Sequence, residues 1–436
     1  MDAYEVFKRN RRFDLIYKIL YIKFRGKSEI VRKFYEDLYL EHIRAFNGFY
    51  EESPKKNSKD DFLKCADNLI DSLLLNGFEN KEAIPVNEDL ELYDGAHRLS
   101  FCAFLKKKIE IRKVNHKDKF DYLFFQQRGL DSAVADLGAL EYVKYNDQAY
   151  IVNLFPIINE NNDKKIVDIL NKYGFVYYKK SVRLSYNGIV NLKKIHYRGE
   201  KWIGDYTNGF AGLRYHADNC RGESPVRALV FVCDSLDKVI QAKNEVRNLF
   251  KLGNFPIHIN DKRSEAVELA ETYFNNNSLY FLNYRPYNIV TEKIDSYVEA
   301  FRDYLFENKL NVDDFCACGS TPLGLFGIRD IDDFDFIHIN DAIPSPKNEN
   351  LSSHESELRY YPLDKDTIIT DPRYHFYYKG VKFVSLDTIL AMKKTRGEKP
   401  KDIMDVRNIL LFKLRNKLDF IKTEITHHIK KLLGVR

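Results

Sequence analysis

The sequence predicts a multidomain protein that combines α/β and α+β regions. Its 436 residues exceed the roughly 250–300 residues at which a single hydrophobic core stops growing. Hydrophobic residues make up 44% and charged residues 31%, a globular balance that excludes wholesale disorder. The pattern also changes along the chain, from helical periodicity in the first 60 residues to alternating strands and helices after residue 149.

Net charge, apolar runs and cysteine spacing indicate which partners and which cellular location to expect. The net charge is 69 − 64 = +5, which is too weak for binding through a bulk field, so we expect no nucleic-acid partner. The chain has no run of 18 apolar residues and no signal-peptide pattern, which predicts no membrane span. Six cysteines are scattered, and the close pair Cys316 and Cys318 lacks further ligands at metal spacing. Reduced thiols predict a cytoplasmic location.

The first two regions are predicted at 1–59 and 60–145. Residues 1–59 carry apolar side chains at three- and four-residue spacings, which is typical of amphipathic helices. A helix that starts near Asp60 and is closed by Gly77 opens the second region. Segments 83–87 and 90–94 alternate like a strand pair, a helix opens at Ala96, and a strand covers 109–114.

The third region is predicted at 146–285 and the fourth at 286–436. Strands and helices alternate in the third region in an order close to a ferredoxin-like α/β sandwich, with a last strand over 278–284. The boundary follows from Arg285-Pro286. The fourth region begins with a long helix, contains a strand over 334–340 and a surface loop over 341–363, and ends in a basic helix.

A possible metal site lies in the fourth region. Gly319-Ser320 is followed by Asp333-Phe334-Asp335, and two carboxylates separated by one residue on a strand point to the same face. Such a pair can hold Mg²⁺, while a Gly-Ser turn supplies backbone N–H groups for phosphates. The alternative without a functional role is a solvated acidic turn formed by these aspartates together with Asp330 and Asp332.

This spacing closely resembles the nucleotidyltransferase-fold superfamily, whose pattern is Gly-Ser, a short helix and Asp-x-Asp on the next strand. Lys393–Lys399 with Lys401-Asp402-x-x-Asp405 resembles its K-x-x-R…K-D-x-x-D segment, and the resemblance covers about residues 295–425. It implies Mg²⁺ or Mn²⁺ as cofactor and a nucleoside triphosphate as substrate.

The same resemblance implies roles for individual residues. Asp333 and Asp335 would be catalytic metal ligands, with Asp371 as the best-placed third carboxylate. The nucleotide would bind to the Gly-Ser turn and to two basic side chains of the later segment, that is, to Gly319, Ser320, Lys394 and Arg396.

A second motif, Asp94-Gly95-Ala96-His97-Arg98, follows the helix that ends at Gly77 and precedes the strand over 109–114. Together these features resemble the ParB/sulfiredoxin fold over about residues 60–115, particularly sulfiredoxin and the free serine kinases. The resemblance implies a nucleotide phosphate at the helix N-terminus beside Gly95 and Arg98, with Asp94 and His97 as catalytic groups. The Gly-x-Arg-Arg pattern of DNA-partitioning members is absent. In a purely structural copy, Asp94 would cap the helix and pair with Arg98.

The third region resembles the nucleoside diphosphate kinases more weakly. Its element order is similar, and His258-Ile259-Asn260-Asp261 with Glu265-Ala266 resembles their His-Gly-Ser-Asp…Glu-Ser-Ala segment. The resemblance implies that His258 carries the phosphoryl group. However, the family's first-strand Lys-Pro-Asp is replaced by Leu154-Phe155-Pro156, and a lone strand histidine is more often structural.

Three resemblances to phosphate-handling folds imply an Mg²⁺-dependent phosphoryl or nucleotidyl transferase that acts on a small hydroxyl or phosphate acceptor. Its product could be a kinase product or an activated precursor for surface polysaccharide, an inference from fold analogy. An alternative is a regulatory or toxin-type nucleotidyltransferase that modifies a protein or tRNA, with the ParB-like unit as a nucleotide or DNA sensor. A third interpretation is a binding module with an inactive transferase.

Overall fold

The computed structural model describes residues 1–52, 55–78, 83–116, 119–397 and 399–433, with side chains described up to residue 418. It is a mixed α/β protein with several small sheets, as the sequence predicts at this coarse level. The chain forms two compact units. The N-terminal unit comprises Met1–Leu184, Ile195–Glu200 and Gly212–Asn275, and the C-terminal unit comprises Ser185–Lys194, Lys201–Ala211 and Asn276–Arg436. The four predicted regions are a finer division, which these two units do not test.

Residues 1–145 are mainly helical. Their described elements are α1 (Ala3–Lys8), α2 (Leu15–Phe24), α3 (Glu29–Asn47), β1 (Glu51–Glu52), β2 (Lys55–Lys56), α4 (Lys59–Asn76), β3 (Ile84–Val86), α5 (Ala96–Phe104), β4 (Ile111–Lys113), α6 (Tyr122–Gln127) and α7 (Ser132–Tyr145). Helix α4 begins where the Ser58 side chain accepts a hydrogen bond from the Asp61 N–H, and it ends at Gly77 as predicted. Of the predicted strand pair, segment 83–87 contains β3, which meets Leu92 in an antiparallel bridge. Segment 90–94 is not a strand, and the strand that pairs with β3 is β4, in parallel.

The remaining part of the N-terminal unit contains a four-stranded sheet. Its elements are β5 (Ala149–Leu154), α8 (Asp163–Leu170), β6 (Phe175–Val182), β7 (Val226–Val232), α11 (Leu236–Phe250), β8 (Ile257–Ile259) and α12 (Arg263–Tyr273). Between β6 and β7 in the sequence come α9 (Tyr186–His196), most of which belongs to the C-terminal unit, and α10 (Ala211–Asp218), most of which belongs to the N-terminal unit. The strand order is β6-β7-β5-β8 and every neighbouring pair is antiparallel. Helix α8 therefore joins two strands of the same direction that have β7 between them. Every residue of β7 is buried, as expected of a central strand.

The C-terminal unit is built on a five-stranded mixed sheet. Its further elements are α13 (Asn276–Tyr284), α14 (Glu292–Glu307), β9 (Phe315–Ala317), α15 (Thr321–Leu325), β10 (Phe334–His338), β11 (Leu351–Ser353), α16 (Lys365–Thr370), β12 (His375–Tyr378), β13 (Val381–Val384), α17 (Leu386–Arg396) and α18 (Pro400–Leu433). The strand order is β11-β10-β9-β13-β12. Among the described residues, no helix combines the length and the hydrophobicity that a membrane crossing requires.

Two predictions for this part of the chain are wrong. Residues 278–284 form helix α13 instead of a strand, and their buried side chains at 278, 281 and 282 follow the helical spacing of three and four. A short apolar run does not distinguish the two structures by periodicity alone. The predicted surface loop over 341–363 also contains β11 and a 3₁₀ helix, Glu355–Tyr360.

A buried group of charges lies within the N-terminal unit. Arg12 donates two hydrogen bonds of 2.9 Å to Asp14, and Lys18 donates one of 2.7 Å to Asp14 while lying 3.0 Å from His42 Nε2. Burial alone would raise the pKa of Asp14, but Arg12 and Lys18 hold it well below its ordinary value. Burial lowers the pKa of Lys18 to about 8, against the opposing effect of Asp14. These residues are called the Asp14 cluster below.

We expect Asp14→Asn to destabilise the N-terminal unit by about 3–5 kcal/mol, because it leaves Arg12 and Lys18 buried without their counter-charge. Denaturant unfolding measures the change, and Asp71→Asn, which breaks an exposed pair with Arg25, is the control expected to have little effect. Since the folded-state pKa of Asp14 is depressed, its contribution is present above the unfolded pKa of about 3.9 and is lost as the pH falls below it. A difference between wild type and variant that grew towards acid pH would contradict this assignment.

Candidate functional site

Strand β10 and the residue directly before it carry the two predicted carboxylates. Phe334 and Phe336 point into the hydrophobic core, so the alternating residue Asp335 lies on the opposite face, half-buried. Asp333, just before the strand, is exposed. β10 is paired on both sides, antiparallel to β9 and parallel to β11, which fixes the direction of its side chains. Asp333 is close enough for its charge to raise the pKa of Asp335, so the two predicted carboxylates are neighbours.

The Gly319-Ser320 turn approaches this face from the end of β9. Gly319 has a φ of +63°, and a Cβ built on it would lie 3.0 Å from Asp335 Cγ and closer still to Oδ2. Only glycine leaves room for that carboxylate and adopts this backbone without strain. Ser320 occupies the cap position of α15 without a side-chain capping bond, and the Gly319 N–H donates to the Tyr361 hydroxyl at 3.5 Å.

Neighbours of Asp335 come from β11 and from the residue after it. The Ser352 hydroxyl donates to Asp335 Oδ1 at 2.9 Å, and the two residues are paired in register. His354 Nε2 lies 3.9 Å from Oδ2, and its Nδ1 is 3.5 Å from Cys318 Sγ. Burial raises the pKa of Asp335, and Asp333 raises it further against the opposing effect of His354. Sequence reasoning missed Ser352 and His354, because they fall in the predicted loop and only strand pairing brings them here.

The donor set fits a divalent cation with few protein ligands. Asp333 and Asp335 offer hard carboxylate oxygens, which Mg²⁺ prefers, and the missing Cβ of Gly319 allows Asp335 Oδ2 to lie against the turn. Asp371 does not join them: it pairs with Arg373 through hydrogen bonds of 2.8 and 3.0 Å. In the described part of the chain, no group of three or more His, Cys, Asp or Glu side chains is arranged to hold a metal.

The later segment Lys393–Asp405 forms a clamp of buried ion pairs. Lys393 lies 3.1 Å from Asp402 and 2.7 Å from Asp405, and all three side chains are about 97–99% buried. Arg396 donates to Asp402 at 2.8 and 2.9 Å. Although burial opposes it, these partners lower the pKa of Asp402 below its ordinary value. The clamp joins the end of α17 to the start of α18.

The two cations predicted to bind nucleotide in this segment differ in position. Lys394 is exposed. Arg396 also pairs with Glu357 at 2.8 Å, and its charge is close enough to lower the pKa of Asp335. Arg396 therefore belongs to the surroundings of the Asp335 carboxylate, while its guanidinium is held by Asp402 and Glu357.

In the N-terminal unit, the Asp94-Gly95 turn opens α5 as predicted. Gly95 has a φ of +85°, and its N–H donates to Asp94 Oδ1 at 2.6 Å. The Arg98 guanidinium lies close to the turn: a Cβ built on Gly95 would be 3.1 Å from Arg98 Nη2. An arginine beside the first N–H groups of a nine-residue helix suits an anion.

His97 takes a different direction. Its Nε2 lies 2.8 Å from the Tyr39 hydroxyl. Burial lowers the pKa of His97 well below its ordinary value, and the cations Lys18 and Lys56 lower it further. His97 thus bonds to Tyr39, close enough to the Asp14 cluster to feel its charges, and is less exposed than Asp94 on the turn.

His258 lies on β8 with its Nε2 2.7 Å from Glu265 Oε1. Its ring stacks on His196, with centroids 4.0 Å apart and planes at 16°. Burial and the charge of Asp261 raise the pKa of Glu265 to about 7. Only 9% of the His258 side chain is exposed, so its surroundings are those of a packed histidine.

Comparison of the sequence with models of protein families, with curated proteins and with solved structures finds no match. The residues themselves therefore carry the functional interpretation.

We expect Gly319→Ala to lower Mn²⁺ affinity at least about tenfold, because its Cβ would displace the Asp335 carboxylate. The measurement is the electron paramagnetic resonance signal of free Mn²⁺ during titration. Gly380→Ala is the matched control: Gly380 has a φ of +77° but open space around it. Both variants carry about 1–2 kcal/mol of backbone strain. Equal Mn²⁺ affinity of the two variants would show that the contact between Gly319 and Asp335 is irrelevant to the metal.

We expect no acid-labile phosphate on the protein after incubation with γ-labelled ATP, because His258 is buried and bonded to Glu265. His258→Ala should instead destabilise the N-terminal unit by about 1–3 kcal/mol, since Glu265 loses its partner. Labelling followed by acid treatment, together with denaturant unfolding, checks both statements. An acid-labile label that disappears in His258→Ala would establish a phosphohistidine.

Proposed function

We propose that this chain is an Mg²⁺-dependent transferase that moves a nucleotidyl or phosphoryl group from a nucleoside triphosphate to a small hydroxyl or phosphate acceptor. The observation that supports it best is the close approach of Gly319 to the Asp335 carboxylate on β10. A glycine turn beside paired carboxylates places N–H donors for phosphate next to oxygens for a cation, and phosphoryl transfer needs both.

Each residue has a distinct part in this proposal. Asp333 and Asp335 would hold Mg²⁺, which supplies charge neutralisation for the phosphates when bound. The Ser352 hydroxyl donates a hydrogen bond to Asp335 Oδ1, and the other carboxylate oxygen, Oδ2, lies next to Gly319. The backbone of Gly319 and Ser320, at the start of α15, would bind a phosphate in place of the Tyr361 hydroxyl. Arg396 supplies a fixed positive charge near the carboxylates.

The fold assignments belong to the same proposal. Gly-Ser, helix α15 and an Asp-x-Asp motif that runs into the start of β10 follow one another in an order that resembles the nucleotidyltransferase superfamily. The order β6-β7-β5-β8, with helices joining strands of equal direction, supports a ferredoxin-like unit. In the ParB/sulfiredoxin-like part, Gly95 and Arg98 would form an anion site at the start of α5, while His97 bonds to Tyr39 and takes no direct part in that site.

Turnover of ATP, CTP, GTP and UTP with Mg²⁺ or Mn²⁺ and a panel of small alcohol and phosphate acceptors tests this function. Asp335→Asn should reduce turnover by a factor of about a thousand, since loss of metal-centred charge stabilisation costs several kcal/mol of barrier. Asp371→Asn is the matched control, because Asp371 pairs with Arg373 away from the carboxylate pair, and turnover should persist. Full activity of Asp335→Asn with every nucleotide, or no nucleotide turnover by the wild type, would exclude the proposed site.

A further inference from the structure

Helix α18 exposes a surface of unusual composition over residues 401–418. Six large apolar side chains are between 41% and 63% exposed, and the exposed charged side chains of this segment are all basic. The apolar members are Ile403, Met404, Leu410, Leu411, Leu414 and Leu418, and the basic members are Lys401, Arg407, Arg415 and Lys417. We name this surface the basic–apolar face.

The basic–apolar face lies on the side of α18 that points away from the core. Asp402, Asp405 and Ile409 are buried, and at about 100° per residue they lie opposite the exposed apolar row. Both carboxylates are held by Lys393. The ion-pair clamp thus removes the acidic residues of this segment from the surface and leaves an exposed charge of one sign.

The composition distinguishes between possible occupants. A second copy would bring lysines and arginines against lysines and arginines, which is repulsive. Protein interfaces are enriched in aromatic residues and depleted in lysine, and nucleic acid makes no use of a leucine row. Helices that lie in a membrane interface combine aliphatic residues with lysine and arginine, whose long stems let the charged ends reach the headgroups.

We propose that the basic–apolar face of α18 binds the surface of an anionic lipid bilayer. The apolar row enters the headgroup region while the long Lys and Arg side chains beside it and, at Arg407, within it reach the lipid phosphates, and the helix lies parallel to the surface. This binding is independent of the proposed transferase activity, because no residue of the face belongs to the Asp335 site.

Cosedimentation of the full chain with vesicles tests the proposal. One set contains phosphatidylcholine alone and the other an equimolar mixture of phosphatidylcholine and phosphatidylglycerol, each at low and high salt. We expect binding to the anionic vesicles, weaker binding at high salt, and little binding to the neutral vesicles.

Paired variants separate the two parts of the face. Leu414→Glu with Leu418→Glu should weaken binding at least about tenfold, because the apolar row is interrupted. Arg415→Gln with Lys417→Gln should weaken it about twenty-fivefold at low salt, at about fivefold for each removed charge, and should have less effect at high salt. The control is Phe306→Glu, an 84%-exposed aromatic residue near the end of α14, and it should bind like the wild type. Circular dichroism verifies that each variant is folded.

Three results would overturn the proposal. The first is absence of wild-type binding to anionic vesicles at low salt, and the second is equal binding to neutral and anionic vesicles. The third is a wild-type dimer in analytical ultracentrifugation that Leu414→Glu with Leu418→Glu dissociates while vesicle binding is unchanged, which would assign the face to self-association.

Discussion

The pairing of β10 with β9 on one side and β11 on the other determines where the groups of the C-terminal site lie. Antiparallel pairing with β9 brings the Gly319 turn to the Asp335 carboxylate, and parallel pairing with β11 places Ser352 directly opposite Asp335. Because a strand alternates its faces, a slip of one residue in either pairing would turn Asp335 into the core and Phe334 or Phe336 outwards. Burial of these phenylalanines therefore also fixes the site.

Each of the two units contains a buried group of ion pairs. The Asp14 cluster and the Lys393 clamp each bury a carboxylate between two cations. Such groups lose hydration, and they are stable only when every charge has its partner in good geometry. Each of these buried ion-pair groups therefore restricts how the helices that carry it are arranged. The Lys393 clamp, for example, restricts the angle between α17 and α18.

Local signals predicted much of the fold and of the site. The end of α4 at Gly77, the turn at Gly95 and the strand that carries Asp335 follow from short-range backbone rules. Ser352 could not be found in this way, because only pairing with a distant strand brings it to Asp335.

The choice between Lys393 and Lys394 could have been made from the sequence. Leu386, Ile389 and Leu390 are buried on α17; Lys393 lies three and four residues after two of them, whereas Lys394 has this spacing only from Leu390 and so falls at the edge of the buried stripe. Helix α13 is the opposite case, since its aromatic run suits either structure until its packing is known.

Strand β11 is also the edge of its sheet, so one side of its backbone has no strand partner among the described residues, and strand addition by another chain would occur there. It is only three residues long, and Ser352 and Ser353 are exposed. A short polar edge is a poor template for strand addition. The Ser352 hydroxyl, which orients Asp335, therefore also helps to keep this edge from pairing with other chains. Replacing both serines by valine would make the edge apolar and more prone to strand addition.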